Sequence, residues 1–349
     1  MKRLLGLFFL LFILYSCQYE YQPRQIDQLN IKEFKIDSTS IRAIAAMDSG
    51  RVAYAGSAGN YGYIIHDDVL KLKVKYKDSI DPSFRSIASN GYHHYMLSIG
   101  NPALLYKLPV TVQSTPVYIE KHEKVFYDAI KFFDTIHGIA MGDPTDDCLS
   151  IILTRDGGST WHKIPCSKLP KVAQGEAAFA ASNTNIKVLG KTAWIVTGGT
   201  KARVFKTTDM GETWEVFNTP IIQGKPSQGI YSVDFADQNN GIIIGGDYSK
   251  PEQNSANKAV TSDGGTTWQL VAEGQDPNYK SCVQYVPDTH GKEVFAVGKT
   301  GISFSNDGGH TWKKISDQAY YVIQFVDRSH AWLAGNQKIG KISSLGTDR

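Results

Sequence analysis

The sequence predicts an all-β fold, a β-propeller of seven blades, on three observations. An octapeptide pattern recurs four times, short β-prone units ending in glycine recur seven times, and one isolated strand near the N-terminus can complete the last unit. Repeats of roughly 40–50 residues with four strands each are typical of propeller blades. The 349 residues, 42% of them hydrophobic and 20% charged, have an ordinary globular composition and suffice for a large core.

The octapeptide reads Ser/Thr-x-Asp-x-Gly-x-Thr-Trp, and its copies begin 53, 54 and 44 residues apart. The aspartate can accept hydrogen bonds within a turn, the glycine can take a positive φ, and the tryptophan can bury an aromatic face. Because each copy lies between two β-prone runs, we expect a structural hairpin turn between the third and fourth strands of units three to six. The aspartates and tryptophans are Asp156 and Trp161, Asp209 and Trp214, Asp263 and Trp268, and Asp307 and Trp312.

Each of the seven units has an alternating strand, a turn and a small apolar strand that ends in glycine. The first strands begin at Ile41, Phe84, Phe126, Ala177, Ile230, Cys282 and Tyr321. The seventh unit lacks a fourth strand after residues 339–343, and the strand over residues 30–36 has no unit of its own. We therefore expect these two segments to pair, which closes the ring and removes an exposed edge.

The octapeptide resembles the Asp-box (BNR) repeat of β-propellers, a group that includes sialidases and other glycan-active enzymes. The unit carried by residues 235–237, 241–246 and 261–268 resembles the photosystem II stability/assembly-factor-like propellers, which are not known as hydrolases. The resemblance covers about residues 40–345 and is strongest in units three to six. It implies a protein-binding or assembly role, without the photosynthetic function of the plant and cyanobacterial members.

The N-terminus has the pattern of a secretory signal: a basic start, a 12-residue apolar run over residues 4–15, and Ser16 before Cys17. Residues 14–17 resemble a bacterial lipobox, from which Tyr15 departs. We expect a lipoprotein signal peptide over 1–16, a lipidated Cys17, a tether over 17–28 and the propeller over 29–349. A plain signal peptide with a chance cysteine is the alternative. Lipidation would anchor the protein at the bacterial cell envelope, in the periplasm or at the cell surface.

The net charge bears on the class of partner, and the positions of the cysteines bear on disulfide bonding. The formal net charge is +3, or +1 without Lys2 and Arg3, so nothing predicts nucleic acid as a partner. If Thr154 faces Thr160 in its hairpin, Cys148 faces Cys166, and the pair is a candidate cross-strand disulfide that a one-residue slip would undo. Cys282 is expected to be a buried free thiol.

The face opposite the octapeptides carries polar and glycine-rich loops, which are the usual place for binding groups on a rigid scaffold. The candidate ligand-binding residues there are Asp143, Glu176, Arg203, Asp247, Tyr248 and Lys250. In the alternative interpretation, Asp143 and Asp247 only cap turns. No spacing predicts a metal ion or a cofactor. The expected ligand is an envelope protein or a glycan.

A glycan-active, sialidase-like hydrolase is the competing functional class. Such an enzyme needs two carboxylates placed across a bond, or a tyrosine nucleophile with a base, and Asp143, Glu176 and Asp247 supply carboxylates. The Arg-Ile-Pro motif of sialidases is absent, and Arg42 and Arg85 lack the context expected in that family. The sequence therefore favours a non-catalytic binding or assembly module at the cell envelope over an enzyme.

Overall fold

A computed structural model of the protein describes residues 21–111 and 114–345. The expected signal peptide and Cys17 lie outside the described residues. Within them, no helix is long and apolar enough to cross a membrane. The strands are β1 (Ile31–Asp48), β2 (Arg51–Gly56), β3 (Asn60–Ile65), β4 (Asp68–Lys73), β5 (Ser83–Ser89), β6 (His94–Ile99), β7 (Ala103–Lys107), β8 (Tyr118–Glu120), β9 (Tyr127–Phe132), β10 (Gly138–Gly142), β11 (Ser150–Thr154), β12 (His162–Lys163), β13 (Glu176–Ala177), β14 (Ile186–Leu189), β15 (Thr192–Val196), β16 (Gly198–Gly199), β17 (Arg203–Thr207), β18 (Glu215–Asn218), β19 (Gln228–Phe235), β20 (Gly241–Asp247), β21 (Lys258–Thr261), β22 (Gln269–Leu270), β23 (Cys282–Tyr285), β24 (Val294–Gly298), β25 (Gly301–Ser305), β26 (Lys313–Ser316), β27 (Val322–Phe325) and β28 (Ala331–Ile342).

The strands form an all-β propeller of six hydrogen-bonded sheets in the described residues, so the prediction of seven blades is wrong by one. Four sheets have four strands: β5 to β8, β9 to β12, β23 to β26, and β14-β15-β17-β18. Two sheets have six strands, in the orders β27-β28-β1-β2-β3-β4 and β13-β16-β19-β20-β21-β22. The first and seventh predicted units lie in the same sheet, β27-β28-β1-β2-β3-β4, because β1 continues from one unit into the other.

The strand β1 is 18 residues long and changes partner along its length. Its first part pairs with the end of β28, from Ile31 opposite Ile342 to Lys35 opposite Lys338. Its second part, from Ile41 onward, pairs with β2. The predicted pairing of the N-terminal strand with the C-terminal segment is therefore confirmed. The innermost strands β1, β5, β9, β14, β19, β23 and β27 follow one another around the axis, and β27 returns to β1.

The fourth predicted unit departs from expectation at its first strand. Only Glu176–Ala177 is a strand there, and it joins the neighbouring sheet through β16. Strand β14 takes the innermost place next to β15 instead. The segment over residues 178–181 is not a strand because its backbone groups bond to side chains of other blades. Ala178 N donates to Asp143 Oδ1 at 2.8 Å, and the carbonyl of Ala181 accepts from Arg42 at 3.3 Å.

The four octapeptides, hereafter the corners, connect the third and fourth strands of their units and share one hydrogen-bond pattern. In the first corner, Asp156 accepts bonds from Thr160 N at 2.9 Å and Thr160 Oγ1 at 2.6 Å, and Thr154 Oγ1 donates to it at 2.8 Å. Trp161 Nε1 donates to the carbonyl of Gly158 at 3.2 Å. The same bonds recur in the corners over residues 207–214, 261–268 and 305–312.

The first corner also holds its blade against the preceding one. Trp161 packs edge-on to Tyr95 of the preceding sheet, at 6.4 Å between ring centroids. Tyr95 Oη donates to the carbonyl of Gly157 at 2.6 Å, and Gly157 N donates to the carbonyl of Ile136 at 2.8 Å. Ile136 lies in the loop between β9 and β10. The corners therefore share one face of the propeller with the loops between first and second strands, and we name it the corner face.

Cys148 and Cys166 form a disulfide, with their Cα atoms 5.5 Å apart. The strand register from which this disulfide was predicted differs from the observed register. Strand β11 pairs with β12 through Leu153 opposite His162, one residue away from the expected alignment. Cys166 instead begins a one-turn 3-10 helix, Cys166–Lys168, beyond the ladder. Cys282 is a buried free cysteine.

Residues 21–27 form a segment, named here the N-terminal latch, that packs on the propeller. The side chain of Arg24 is 6% exposed and pairs with Glu293, whose side chain is fully buried. Arg24 Nε donates to Glu293 Oε2 at 2.9 Å, and Tyr21 Oη donates to the same carboxylate. Ile26 lies in the hydrophobic core of the sheet that contains β1 and β28. This part of the expected tether is thus attached to the fold by a buried ion pair and an apolar contact.

Candidate functional site

Four innermost strands carry a β-bulge close to the axis, on the face opposite the corners. The ladder shifts between Ile41 and Ala43, between Phe84 and Ser86, and between Ile230 and Ser232. In β9 the shift lies opposite Met141 and Gly142. A bulge leaves one residue unpaired and re-aims its side chain. The residues at the bulges are Arg42, Arg85, Asp128 and Tyr231.

The glycines that end the second strands make room for these bulges. A Cβ on Gly142 would lie 2.3 Å from the carbonyl oxygen of Phe126, and a Cβ on Gly245 would lie 1.9 Å from that of Gly229. No side chain fits at these two positions, so the bulged backbone approaches this closely because the facing residue is glycine. At the Arg85 bulge the facing residue is Ser98, so that bulge forms without a glycine opposite it. The recurring glycine of the sequence units is therefore part of the geometry that directs the bulged residues.

Three of the bulged residues line a cavity of about 430 Å³ at this end of the axis. Its charged lining consists of Arg42, Arg85, Lys299 and Asp143. Its aromatic lining consists of Phe126, Phe179, Tyr231, Tyr248, Tyr279 and Tyr321. No corner residue contributes to the lining. We name this space the axial cavity.

The two arginines of the axial cavity are held in place by aromatic rings and carbonyl groups. The Arg42 guanidinium lies 4.1 Å from the ring centroid of Tyr321, and its Nη1 donates to the carbonyl of Ala181 at 3.3 Å. Arg85 lies 6.0 Å from the ring centroid of Phe126 and donates to the carbonyl of Ala180 at 3.4 Å. Burial and the nearby charge of Arg42 lower the pKa of Arg85. Among the described residues, neither guanidinium forms a salt bridge, so each retains donors for a ligand.

The aromatic wall of the axial cavity is organised around Tyr231. Its ring stacks on Phe179 at 3.9 Å with an interplanar angle of 6°, and meets Tyr279 edge-on at 4.9 Å. Tyr248 approaches Tyr231 edge-on at 6.4 Å and is 48% exposed, so it forms the rim. Burial raises the pKa of Tyr231 far above its usual range, and the hydroxyl stays protonated. This wall offers flat apolar surface to a ligand that the arginines hold at its charged end.

Two carboxyl groups lie beside the arginines, and both have raised pKa values. Asp128 is fully buried, and neither of its carboxyl oxygens has a hydrogen-bond partner. Burial, and then the nearby charge of Asp143, raise the pKa of Asp128 well above its usual range. Burial raises the pKa of Asp143 to about 6, although its Oδ1 accepts a bond from Ala178 N. Burial therefore disfavours the charged form of Asp128, while Arg42, Arg85 and Lys299 line the cavity with positive charge.

The structure brings two of the six predicted ligand-binding residues, Asp143 and Tyr248, to the axial cavity. Glu176 and Arg203 form a largely buried ion pair, in which Arg203 Nε donates to Glu176 Oε1 at 3.0 Å. Glu176 also lines a second depression that Asp143 borders. These side chains are near the predicted face but bond to each other.

The remaining two predicted residues lie in the loop after β20. Asp247 is buried and accepts hydrogen bonds from Ser249 N at 2.9 Å and Ser249 Oγ at 2.6 Å. Although burial acts against the charged form, these bonds and others lower the pKa of Asp247 to about 2. Lys250 is exposed, and its backbone N–H closes the same turn at the carbonyl of Asp247. Asp247 thus caps this turn, as the alternative interpretation of the sequence expected.

Sequence analysis missed the residues that dominate the axial cavity. In the sequence, Arg42 and Arg85 stand out only by comparison with the sialidase motif, and Tyr231 lies inside the alternating strand that begins at Ile230. A usable signal existed in the aligned units. Arg42, Arg85, Asp128 and Tyr231 each follow directly after a large buried residue at the start of a first strand.

The three carboxylates considered for hydrolysis do not all line one space. Of Asp143, Glu176 and Asp247, only Asp143 lines the axial cavity. Asp143 and Glu176 share the second depression, where Glu176 is paired with Arg203, and Asp247 caps its own loop. Within residues 21–111 and 114–345, no group of three or more His, Cys, Asp or Glu side chains could hold a metal ion. The chemistry that the cavity offers is recognition of an anionic group beside aromatic surface.

No protein-family model and no curated protein matches this chain. Several solved structures share its fold. YCF48 bound to a D1 peptide matches with a TM-score of 0.66 at 15% identity, over 93% of this chain and 98% of that chain. YCF48 from Cyanidioschyzon merolae matches with a TM-score of 0.62 at 13% identity, over 89% and 98% of the two chains. The WD40 β-propeller domain of Doa1 matches with a TM-score of 0.61 at 10% identity, over 90% and 96%. These similarities establish the β-propeller fold.

Proposed function

We propose that this protein is a non-catalytic binding module that holds a carboxylate-bearing segment of another protein in the axial cavity. One observation carries the proposal: Arg42 and Arg85 project from bulges into one aromatic-walled space without a salt-bridge partner among the described residues. Arginine binds carboxylates through two parallel N–H bonds when its fork is free. The structural likeness to YCF48 in complex with a peptide supports a protein ligand.

The cavity suits a chain terminus or an acidic side chain followed by apolar groups. The guanidinium groups would receive the carboxylate, while Tyr231, Tyr279 and Phe179 would contact the apolar part. Tyr248 and Asp143 would then contact the ligand at the rim, as the sequence predicted. In this proposal Glu176, Arg203, Asp247 and Lys250 shape the surrounding loops.

The N-terminal sequence supports a proposal for the location of the protein in the cell. We propose that the protein is exported, that Cys17 is acylated, and that the ligand is a protein of the bacterial cell envelope. In the same proposal the four corners are Asp-box repeats with a structural role, since their polar atoms bond within the turn.

The test uses a library of peptides with free C-terminal carboxylates, a duplicate library of C-terminal amides, and a glycan array. We expect the protein to retain a subset of free-acid peptides. Each arginine should contribute roughly 1.5–3 kcal/mol to a charge-assisted bond, so Arg42→Gln combined with Arg85→Gln should weaken binding by at least about 100-fold. Fluorescence anisotropy with the selected peptides measures this loss.

The matched control is Arg51→Gln, which removes an arginine that pairs with Asp48 on the corner face. This variant should bind the peptides as tightly as the wild-type protein, and thermal melting should show that all variants fold. Retention of the same peptides by the double variant would contradict the proposal. Binding to glycans alone, or turnover of them, would favour the competing glycan-active class.

A further inference from the structure

The corner face carries exposed apolar side chains at the tips of neighbouring loops. Eight large hydrophobic side chains are exposed in the described residues, and four of them lie at such tips. They are Met47, which is 41% exposed, Ile65 at 41%, Tyr92 at 79% and Ile136 at 49%. Single exposed apolar residues are common on soluble proteins, but a group of them on one face marks an interaction surface.

Hydrogen bonds between the loops place these tips on the same face. In the first unit, His66 N donates to the carbonyl of Gly50 at 2.9 Å, which joins the turns beside Ile65 and Met47. In the second unit, Asn90 Nδ2 donates to the carbonyl of Thr135 at 3.3 Å, next to Ile136. The apolar tips therefore extend over three consecutive units.

The N-terminal latch reaches the same face. Arg24 Nη1 donates to the carbonyl of Arg328 at 2.7 Å, in the loop between β27 and β28. The carbonyl of Arg24 accepts a bond from Asn306 Nδ2 at 3.3 Å, and Asn306 belongs to the fourth corner. The first described residue, Tyr21, follows Cys17 by four positions. Four residues span at most ~14 Å, so a lipid attached to Cys17 would be tethered within that distance of Tyr21.

We infer that the corner face lies against a lipid bilayer and that the axial cavity opens away from it. This inference rests on the proposed acylation of Cys17. A lipid attached to Cys17 places the bilayer within ~14 Å of Tyr21, on the side of Tyr92 and Ile136. A tyrosine and single aliphatic side chains on separate loops suit shallow insertion at the level of the lipid headgroups.

This orientation determines from which side of the membrane-anchored protein a ligand can reach the axial cavity. The strands β5, β9 and β19, which run between the corner face and the axial cavity, have 7, 6 and 8 residues and span roughly 20–27 Å. Arg42 and Arg85 therefore face the aqueous compartment at the end of the propeller that is remote from the anchor. A soluble protein, or a domain that projects well above the membrane, can reach them without crossing the anchored face.

The experiment measures the position of spin labels in the membrane-anchored protein. The full chain is expressed in bacteria, purified from membranes and reconstituted into vesicles of phosphatidylethanolamine and phosphatidylglycerol. Nitroxide labels are attached to Tyr92→Cys and Ile136→Cys on the corner face and to Lys250→Cys on the opposite face. The controls Leu70→Cys and Ile119→Cys replace residues of similar exposure, 47% and 41%, on β4 and β8. Because Cys282 is buried and Cys148 is bonded to Cys166, only the introduced thiol should react.

Power-saturation spectroscopy then compares the access of oxygen, which concentrates in the bilayer, with that of a water-soluble nickel complex. We expect labels at positions 92 and 136 to favour oxygen, and labels at 70, 119 and 250 to favour nickel. Mass spectrometry of the N-terminal peptide tests the acylation of Cys17 separately. An acylated protein whose labels at 92 and 136 are as accessible to nickel as the label at 250 would overturn the orientation alone. A protein without the lipid would overturn the anchor and the orientation together, while peptide binding by the axial cavity would be unaffected.

Discussion

The corners and the axial cavity use aspartate in opposite ways. In the corners, Asp156, Asp209 and Asp263 accept several hydrogen bonds, and these outweigh the effect of burial and lower each pKa to about 2. At the axial cavity, burial dominates, so the pKa of Asp143 is raised to about 6 and that of Asp128 is also raised. The same carboxyl group is thus fully bonded where it holds a turn and incompletely bonded where the bulges face the axis. Incomplete bonding marks the end of the molecule that is available to a ligand.

The largest effect on stability is expected at the corner face, from Arg24→Ala. This change leaves the fully buried carboxylate of Glu293 without its cation, and breaking such a pair costs roughly 3–5 kcal/mol. Urea denaturation should show this loss in the free energy of unfolding. Lys313→Ala breaks the exposed pair with Asp27 and should leave the free energy of unfolding almost unchanged, because solvent screens this pair. Equal losses in the two variants would show that the latch pair is not specially stabilising.

A smaller effect, dependent on pH, is expected at the axial cavity from Asp143→Asn. The folded-state pKa of Asp143 is about 6, against an ordinary value of 3.8, so the group's contribution to stability is fully present below pH 3.8 and lost as the pH rises through 6. The free energy of unfolding of the wild-type protein, minus that of the variant, should therefore fall by up to about 3 kcal/mol between pH 4 and pH 7.

Denaturation series at several pH values measure this difference. Asp263→Asn in the third corner is the matched control, because its pKa is lowered to about 2. For Asp263 the dependence on pH should be reversed. The free energy of unfolding of the wild-type protein, minus that of Asp263→Asn, should fall as the pH is lowered through 2. A difference that is flat for Asp143 would mean that its carboxyl group is solvated in solution.

The smallest effect is expected from removing one corner aspartate by Asp263→Ala. The variant leaves four donors without their acceptor: Thr261 Oγ1, Thr266 N, Thr267 N and Thr267 Oγ1. We expect a loss of roughly 1–3 kcal/mol, because the donors of Thr266 and Thr267 are exposed and can bond to water. Peptide binding at the axial cavity should be unchanged, which thermal melting and anisotropy together can show. A loss of binding without a loss of stability would place a functional site in the corners.

The corners could be predicted from the sequence because their interactions are local. Each aspartate bonds to groups within four residues, so the octapeptide alone specifies the turn. The pairing of β1 with β28 could also be predicted, since an unfinished last unit and an unassigned first strand leave one plausible partner for each. The number of sheets could not, because it depends on whether β1 continues without a break from one sheet into the next.

The axial cavity was harder to predict because residues far apart in the sequence build it. Arg42 and Ala181, which bond across the axis, are 139 positions apart. A bulge moves a side chain without altering the alternation of the sequence, so Arg42 and Tyr231 resemble ordinary strand residues. Residues 178–181 resemble a strand in composition. Instead, the carbonyl groups of Ala180 and Ala181 accept hydrogen bonds from arginines of two other blades.

The joint between β1 and β28 also determines when the molecule can be completed. The first part of β1, residues 31–40, pairs with residues 336–342 of β28, about 300 positions later in the chain. Translation therefore produces residues 31–40 before the intervening sheets, and their partner residues 336–342 only after those sheets. Removal of residues 336–342 would leave the preceding sheets intact but would take away the strand partner of residues 31–40 that closes the ring.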